Sequence, residues 1–296
     1  MKVNFPDLKG KEKETLYIVG NGFDLHHGIC STYKHFYCWL NLKGYEDFIN
    51  ALQETFPKLE NKGDFLWRNF EDALKEYDID AIFNQEKKKL SDPNKTDEWT
   101  NISSKIATVC NDIRPLMKQW VKCINTKEAK QCLELSNESL YLTFNYTTVL
   151  EDLYLIPKEQ VCHIHGSIAD DSDIIVGHDL SALTNNIKAS SDEEEQVKAC
   201  MIKSMNSLDK CVSEQIEKHR SFFNRLKKIS RVVVLGHSLS LIDIPYFGRI
   251  LKYVQDDTHW HFSKHSIEDD KRIDYFIQKA NRTYKNRINN RWIFNF

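Results

Sequence analysis

The stretch that decides the fold lies near the start of the chain and reads "TLYIVGNGFDLHHGICSTY", residues 15–33. A short apolar run, residues 16–19, meets Gly20-Asn21-Gly22, and a helical pattern begins after Thr32. A buried strand that ends in such a turn can present backbone N–H groups to a phosphate, and a nearby helix N-terminus adds a favourable dipole. Leu25 stands where the third glycine of G-x-G-x-x-G would be, and the P-loop lysine is missing. The stretch therefore predicts strand, tight turn and helix, and a weak nucleotide signal.

The bulk composition is that of an ordinary globular protein. Of the 296 residues, 41% are hydrophobic and 28% charged, with a net charge of −2. This balance gives no global electrostatic reason to bind nucleic acid or an anionic membrane. No apolar run reaches the ~20 residues that span a bilayer, and the polar start lacks the apolar stretch of a secretory signal. We expect a cytoplasmic protein with reduced thiols, since none of its eight cysteines forms a C-x-x-C pair.

Short apolar runs alternate with helical patterns along the chain, which favours a parallel sheet covered on both faces. The sequence predicts an α/β fold: a Rossmann-like, mostly parallel sheet with helices on both faces, in one domain over residues 1–296. A mainly helical insertion, about residues 45–135, follows the first βα unit and includes "DFLWRNFEDALKEY" (64–77). A second helical segment covers about 180–228. Strands are predicted in the following stretches: 16–20, 139–148, 160–167, 173–179, 231–238, 258–263 and 291–296.

Polar side chains follow several of these strands, where parallel sheets bind ligands. They are Asn145, His163, His165, His178 and His237. A metal site is one interpretation, but acidic or cysteine ligands at matching spacing are missing, so we predict no metal. A second is that the imidazoles bond to local backbone groups. A third is that some face a nucleotide, one of them as a general base.

A serine hydrolase built on the stretch "GHSLS" (236–240) is disfavoured. Its nucleophile would be Ser238. The elbow motif of such enzymes is G-x-S-x-G, and Ser240 occupies the place of its second glycine.

Six motifs, in order, resemble the bacteriophage abortive-infection AbiH family over roughly residues 15–260. They read "IVGNGFDLHHGICSTYKHF", "WRNFEDAL", "FNYTTVLEDLY", "CHIHGS", "IIVGHD" and "VLGHSLSLIDIPYF". The resemblance implies a phage-defence role. The family is in turn similar in pattern to sirtuin-like NAD-binding domains, which implies a nucleotide pocket.

The sirtuin-like resemblance assigns roles to single residues. It implies that Asn145 positions a ribose hydroxyl or the attacking water, and that His165 takes a proton. The turn would hold a pyrophosphate, and Thr147 stands where sirtuins often carry Asp. The residues that the resemblance implies for binding NAD are Gly20, Asn21, Gly22, Asp24, Gly28, Gly166, Gly236, Ser238 and Asp243. Asp24 and Gly28 are expected in the loop after the turn. Since the four-cysteine zinc module of sirtuins is missing, the sequence argues against a protein deacylase.

Three functions stay open at this point. The first is an NAD glycohydrolase that depletes NAD in infected cells, with a phage component as trigger. The second is a non-catalytic nucleotide sensor that acts through a partner effector. The third, less favoured, is nucleic-acid binding by the basic carboxyl-terminal segment, in which a solvated helix face is the simpler explanation. The cations of that segment are Lys271, Arg272, Lys279, Arg282, Lys285, Arg287 and Arg291. No membrane partner is expected, and a homo-oligomer is left open.

Overall fold

The fold is a six-stranded parallel sheet, seen in a computed structural model that describes residues 9–56, 78–169, 173–178, 189–285 and 288–296. The strand order is β3-β2-β1-β4-β5-β6, and every neighbouring pair is parallel. This is the order of Rossmann-type sheets, so the predicted fold class is confirmed. The strands are β1 (Thr15–Val19), β2 (Leu140–Thr143), β3 (Val161–His163), β4 (Arg231–Leu235), β5 (His259–Lys264) and β6 (Asn290–Asn295).

The chain divides into two compact units. The sheet unit comprises Met1–Ser31, Val121–Ile174 and Val212–Phe296, and the helical unit comprises Thr32–Trp120 and Ile175–Cys211. The prediction of one domain with insertions at 45–135 and 180–228 stays a prediction. The described helices are α1 (Asn21–His26), α2 (Tyr33–Leu42), α3 (Glu46–Thr55), α4 (Ile79–Lys87), α5 (Trp99–Lys122), α6 (Val149–Tyr154), α7 (Asp192–Met205), α8 (Val212–Lys218), α9 (Arg220–Asn224), α10 (Ile244–Tyr253) and α11 (Ile267–Tyr284).

Alternate residues of the central strands feed two separate cores, because successive side chains of a strand point to opposite faces. On one face, Ile18 and Val234 pack with residues of α9, α10 and α11. On the other face, Val19 and Leu235 pack with residues of α1 and α6. Burial on both faces explains the continuous apolar runs of β1 and β4. Helices therefore cover both faces, as the sequence predicts.

His27 connects helix α1 to helix α6 through two hydrogen bonds. The Nδ1 of His27 lies 2.7 Å from the carbonyl oxygen of Phe23, and its Nε2 lies 2.5 Å from the hydroxyl of Tyr154. That hydroxyl accepts the N–H groups of Cys132 and Leu133, so its own proton goes to Nε2. Burial lowers the pKa of His27, which agrees with a neutral ring that carries its proton on Nδ1. His27 is therefore a structural residue.

Of two further predictions, one strand is not formed and one helix lies outside the described residues. The predicted strand 173–179 is wrong over its described part, residues 173–178, where only His178 forms a bridge, to Asp209. Ile174 and Val176 are buried there, so the apolar run reflects burial without strand pairing. The predicted helix at 64–77 lies outside the described residues.

Charged side chains of the helical unit bond to carboxylates or to backbone carbonyl oxygens. Lys198 of α7 contacts Asp80 at 2.7 Å and Glu194 at 2.5 Å. Arg114 of α5 donates to the carbonyl oxygens of Val176 and Asp209, both at 3.3 Å. Across the described part of the chain, no helix is long and apolar enough to cross a bilayer.

Candidate functional site

Four adjacent strands lead to buried polar side chains at one edge of the sheet. The register aligns the last residues of β2, β1 and β4, which are Thr143, Val19 and Leu235. Beyond them, each strand leads to a buried polar side chain, as does the neighbouring β3: Asp24 after β1, Asn145 after β2, His165 after β3 and His237 after β4. We call this place the carboxyl edge. It includes the point between β1 and β4 where the strand order reverses, which is where open parallel sheets bind ligands.

Three glycines let β1 and β4 approach each other closely at the carboxyl edge. A Cβ on Gly20 would lie 2.6 Å from the Cα of His237, and a Cβ on Gly22 would lie 2.8 Å from the Cα of Gly236. Gly236 has a φ of +58°, and a Cβ there would lie 2.2 Å from the nitrogen of Phe23. Packing of backbone on backbone therefore explains these glycines without a ligand.

The backbone amides of the same turn already have acceptors. The N–H of Gly20 donates to the Leu235 carbonyl at 3.0 Å, and that of Gly22 donates to the Gly236 carbonyl at 2.8 Å. The N–H of Phe23 donates to the Gly20 carbonyl. The phosphate-binding role of Gly20–Gly22 stays a prediction.

Asp24 is the central group of the carboxyl edge. It lies in α1, which begins directly after Gly20, whereas the sequence analysis expected it in a loop. Its side chain is buried, and its two oxygens accept hydrogen bonds from the Asn145 amide at 2.8 Å and the Thr147 hydroxyl at 2.6 Å. Burial raises the pKa of Asp24 to about 6, although both hydrogen bonds act in the opposite direction. A carboxylate in this state titrates close to neutral pH.

Two hydrogen-bond acceptors fix the orientation of the Asn145 side-chain amide. Its Nδ2 faces two acceptors, the carboxylate of Asp24 and the Gly20 carbonyl at 3.1 Å. Its Oδ1 is thereby fixed on the other side, and it accepts no hydrogen bond from any residue that the structure describes. This oxygen is an acceptor that can orient a hydroxyl or a water.

Thr147 was noted in the sequence only as a departure from sirtuins. Its hydroxyl is one of the two donors to Asp24. A threonine two residues after Asn145 places both donors on one carboxylate, a pairing that the spacing alone does not reveal because Asp24 is far away in sequence.

His165 and His237 both contact one aromatic ring. The ring of Phe144 contacts His165 edge-on at 5.2 Å between centroids and His237 at 4.4 Å. The Nε2 of His165 lies 3.3 Å from the hydroxyl of Tyr246 in α10. Tyr246 is a further residue of the edge that sequence reasoning did not find.

In its neutral form, His237 has its proton on the ring nitrogen that lies nearer Asp243. The Leu239 N–H donates to Nδ1 of His237 at 2.9 Å, so in the neutral ring the proton is on Nε2. That nitrogen lies 3.6 Å from the Asp243 carboxylate, and both side chains are buried. Asp243 thus places a carboxylate near this imidazole, at a distance longer than a hydrogen bond.

The remaining predicted residues surround these groups. Asn21 is exposed and its Oδ1 accepts a hydrogen bond from Ser31 at 2.6 Å. Ser238 is exposed. Gly28 and Gly166 have φ values of +77° and +84°, where glycine is favoured. Their roles in binding a nucleotide stay predictions.

His163 bonds to two acceptors behind Asn145. Its Nδ1 lies 3.0 Å from the Asn145 carbonyl oxygen, and its Nε2 lies 2.8 Å from the Glu151 carboxylate in α6. Since neither partner donates, the geometry calls for an N–H on both ring nitrogens. Sequence reasoning singled out His163 but missed Glu151. Among the described residues, no group of three His, Cys, Asp or Glu side chains is arranged to hold a metal.

The basic carboxyl-terminal segment carries its own acidic partners. Arg272 lies 2.9 Å from Asp269, and Arg291 lies 2.9 Å from Asp274. Arg287 lies outside the described residues. Nucleic-acid binding by this segment stays a prediction.

The sheet order and the buried polar groups at its carboxyl edge define a Rossmann-like α/β protein. A sequence model of one family, described as "Bacteriophage abortive infection AbiH", matches residues 16–264, which is most of the chain. The chain therefore belongs to the AbiH family, and the family gives it a role in abortive infection by bacteriophage. A search of curated proteins and a search of solved structures each gave no match. The resemblance to sirtuin-like domains stays a prediction.

Proposed function

We propose that this abortive-infection protein hydrolyses the N-glycosidic bond of NAD and so lowers NAD in an infected cell. The observation that supports this most is the buried Asp24 carboxylate at the carboxyl edge. It is bonded to two neutral donors, and no cationic side chain among the described residues lies within ion-pair distance of it. Its negative charge is therefore available to a ligand in a crevice of the kind that binds nucleotides in this strand order.

The reaction needs stabilisation of a positively charged sugar. When the bond between ribose and nicotinamide breaks, its electron pair leaves with nicotinamide, and positive charge develops on the ribosyl carbon. Asp24 supplies the opposing charge in a site with little water. Water then bonds to that carbon and gives up one proton, which His165 accepts. The products are nicotinamide, ADP-ribose and a proton.

Asn145 is the positioning group in this scheme. Its amide nitrogen holds Asp24, and its Oδ1 is the acceptor that orients the attacking water or a ribose hydroxyl. At neutral pH most of Asp24 is ionised, since its pKa is raised to about 6. Activity should therefore fall as the pH drops through 6.

The test measures nicotinamide release from NAD by purified protein, alone and with phage lysate, by chromatography. Asp24→Asn, Asn145→Ala and His165→Ala should each lower the rate by about 100-fold or more. His259→Ala changes an exposed histidine at the start of β5 and should keep the rate of the wild type. Circular dichroism checks that each variant is folded. Absence of nicotinamide in both conditions, or full activity in Asn145→Ala and His165→Ala, would reject the proposal.

A nucleotide sensor without catalysis is the second candidate. It is favoured by Thr147, which stands where sirtuins often carry Asp and whose hydroxyl bonds to Asp24, so that one acid fewer is present for catalysis. Calorimetry with NAD separates the two candidates. Saturable binding with NAD recovered intact supports the sensor, whereas loss of NAD supports the enzyme.

A further inference from the structure

A cavity of the sheet unit lies beside β3, the strand at the edge of the sheet. Its volume is about 410 Å³, within the range of roughly 300–1,000 Å³ in which small ligands bind. Exposed residues form its rim, among them Lys158, Ser221 and Arg225, whereas Cys162 and Phe222 are buried in its wall. We call this cavity the β3-edge pocket.

Two cations, Lys158 and Arg225, lie on the rim together with one carboxylate, Glu159. Neither Lys158 nor Arg225 forms an ion pair with a carboxylate of the described residues. Arg225 is nevertheless held in place, because one nitrogen donates to the Glu159 carbonyl and another donates to the Gln160 side chain at 2.5 Å. A guanidinium has five N–H donors, so donors remain for a ligand. An oriented arginine and a lysine that has no ion-pair partner among the described residues, on the rim of one pocket, form a suitable arrangement for an anion.

The wall of the pocket is polar but carries no net charge. Cys162 Sγ lies 3.3 Å from Nδ1 of His219. Burial raises the pKa of the Cys162 thiol to about 12 and lowers the pKa of His219, so both groups are neutral at pH 7. The other imidazole of the wall, His163, is compensated by Glu151. The rim therefore has two cations, Lys158 and Arg225, against one carboxylate, Glu159, and keeps a net positive charge. Neutral hydrogen-bonding groups and the His163–Glu151 pair line the wall.

We propose that the β3-edge pocket binds a small phosphate monoester with a hydroxylated body, such as a sugar phosphate. The phosphate lies on Lys158 and Arg225, and the hydroxyl groups face His219 and the Ser167 hydroxyl in the wall. Phe222 provides an apolar surface for the carbon skeleton. The pocket is separate from Asp24 and its donors, so this proposal does not depend on NAD hydrolysis.

The test is calorimetry with ribose 5-phosphate, with ribose and inorganic phosphate as partial ligands. We expect saturable binding of ribose 5-phosphate, and binding of each partial ligand about tenfold weaker or less. Arg225→Gln should weaken binding about tenfold or more. Arg220→Gln is the matched control. Arg220 is exposed and precedes Ser221 in sequence, but it does not line the pocket. Ser221→Trp should block binding by filling the cavity from its rim.

Three results would overturn the proposal in folded protein. They are no saturable binding of ribose 5-phosphate, equal binding in Arg225→Gln and Arg220→Gln, and inorganic phosphate that binds as tightly as the ester. Nicotinamide release is measured on the same variants. Since none of them changes the carboxyl edge, failure of the pocket leaves that activity unchanged, and failure of the activity leaves the pocket result standing.

Discussion

The sheet unit and the helical unit each bury a carboxylate, but the pKa values of the two carboxylates are shifted in opposite directions. Glu194 in α7 is bonded to the ammonium group of Lys198 at 2.5 Å. Burial acts to raise its pKa, but the bonds and charge of Lys198 and a bond from Ser190 outweigh burial, so the pKa of Glu194 is lowered. Asp24 has only neutral donors, and burial raises its pKa to about 6.

The difference separates a structural carboxylate from one that is available to a ligand. A buried charge with a cationic partner is compensated within the protein, and removing the partner is strongly destabilising. A buried charge without one weakens the folded state until a ligand brings positive charge to it. Perturbed carboxylates of the second kind concentrate at functional sites, which is the physical reason to place chemistry at Asp24 and none at Glu194.

The largest expected effect comes from removing the cation of the helical unit. Lys198→Met leaves Glu194 buried without its ammonium partner and also removes the contact to Asp80. We expect a loss of about 3 kcal/mol in the free energy of unfolding, measured by urea denaturation at pH 7. Lys203→Met, at an exposed position of the same helix, should change it by less than about 0.5 kcal/mol. Equal stability of the two variants would contradict the comparison.

A gain in stability is expected at Asp24. Its pKa in the folded protein, about 6, lies above the ~3.9 of an unfolded aspartate. The folded state therefore binds more protons between these values, and the contribution of Asp24 to stability falls as the pH rises from about 4 to 6, by up to about 3 kcal/mol. Asp24→Asn should be about 1–3 kcal/mol more stable than the wild type at pH 7, with the difference vanishing near pH 4.

The measurement is urea denaturation of both proteins across pH 4–7. Asp257→Asn, an exposed position, serves as control and should follow the wild type at every pH. A difference between Asp24→Asn and wild type that does not change with pH would show that Asp24 titrates normally, and would remove the main support for its proposed role.

The sheet could be predicted from sequence because its information is local. Residues 16–19 and 232–235 are apolar runs that end at a glycine, and each is a buried strand. The same criterion was wrong at 173–178, because apolar composition reports burial, and Ile174 is buried without pairing. A helical pattern was predicted to begin after Thr32, and the Thr32 side chain does accept the His35 N–H at the start of α2.

The site could be predicted only in part, because its contacts are long-range. Asn145 and His165 follow strands and were therefore found. The bond between Asp24 and Thr147 joins residues 123 positions apart, and the bonds to Tyr246 and Glu151 likewise depend on tertiary packing. The glycines of the turn show the same limit of sequence-based prediction. The turn at Gly20–Gly22 was predicted, but the close approach of its glycines to Gly236 and His237 was not.

The smallest expected effect tests whether the charge of His163 reaches Asp24. The two bonds of His163, to the Asn145 carbonyl and to Glu151, call for a doubly protonated ring, and its charge lowers the pKa of Asp24. His163→Gln removes that charge, so the pKa of Asp24 should rise further above its ordinary value. The carboxyl carbon of labelled aspartate, followed by NMR against pH, reports this directly. His219→Gln is the control, because burial keeps His219 neutral, and it should leave the Asp24 titration in place. If Asp24 titrates in both variants as in the wild type, the expected effect of His163 is absent, and burial and the two neutral donors alone determine the pKa of Asp24. Asp24 then differs from Glu194 even more, because no cation influences its pKa.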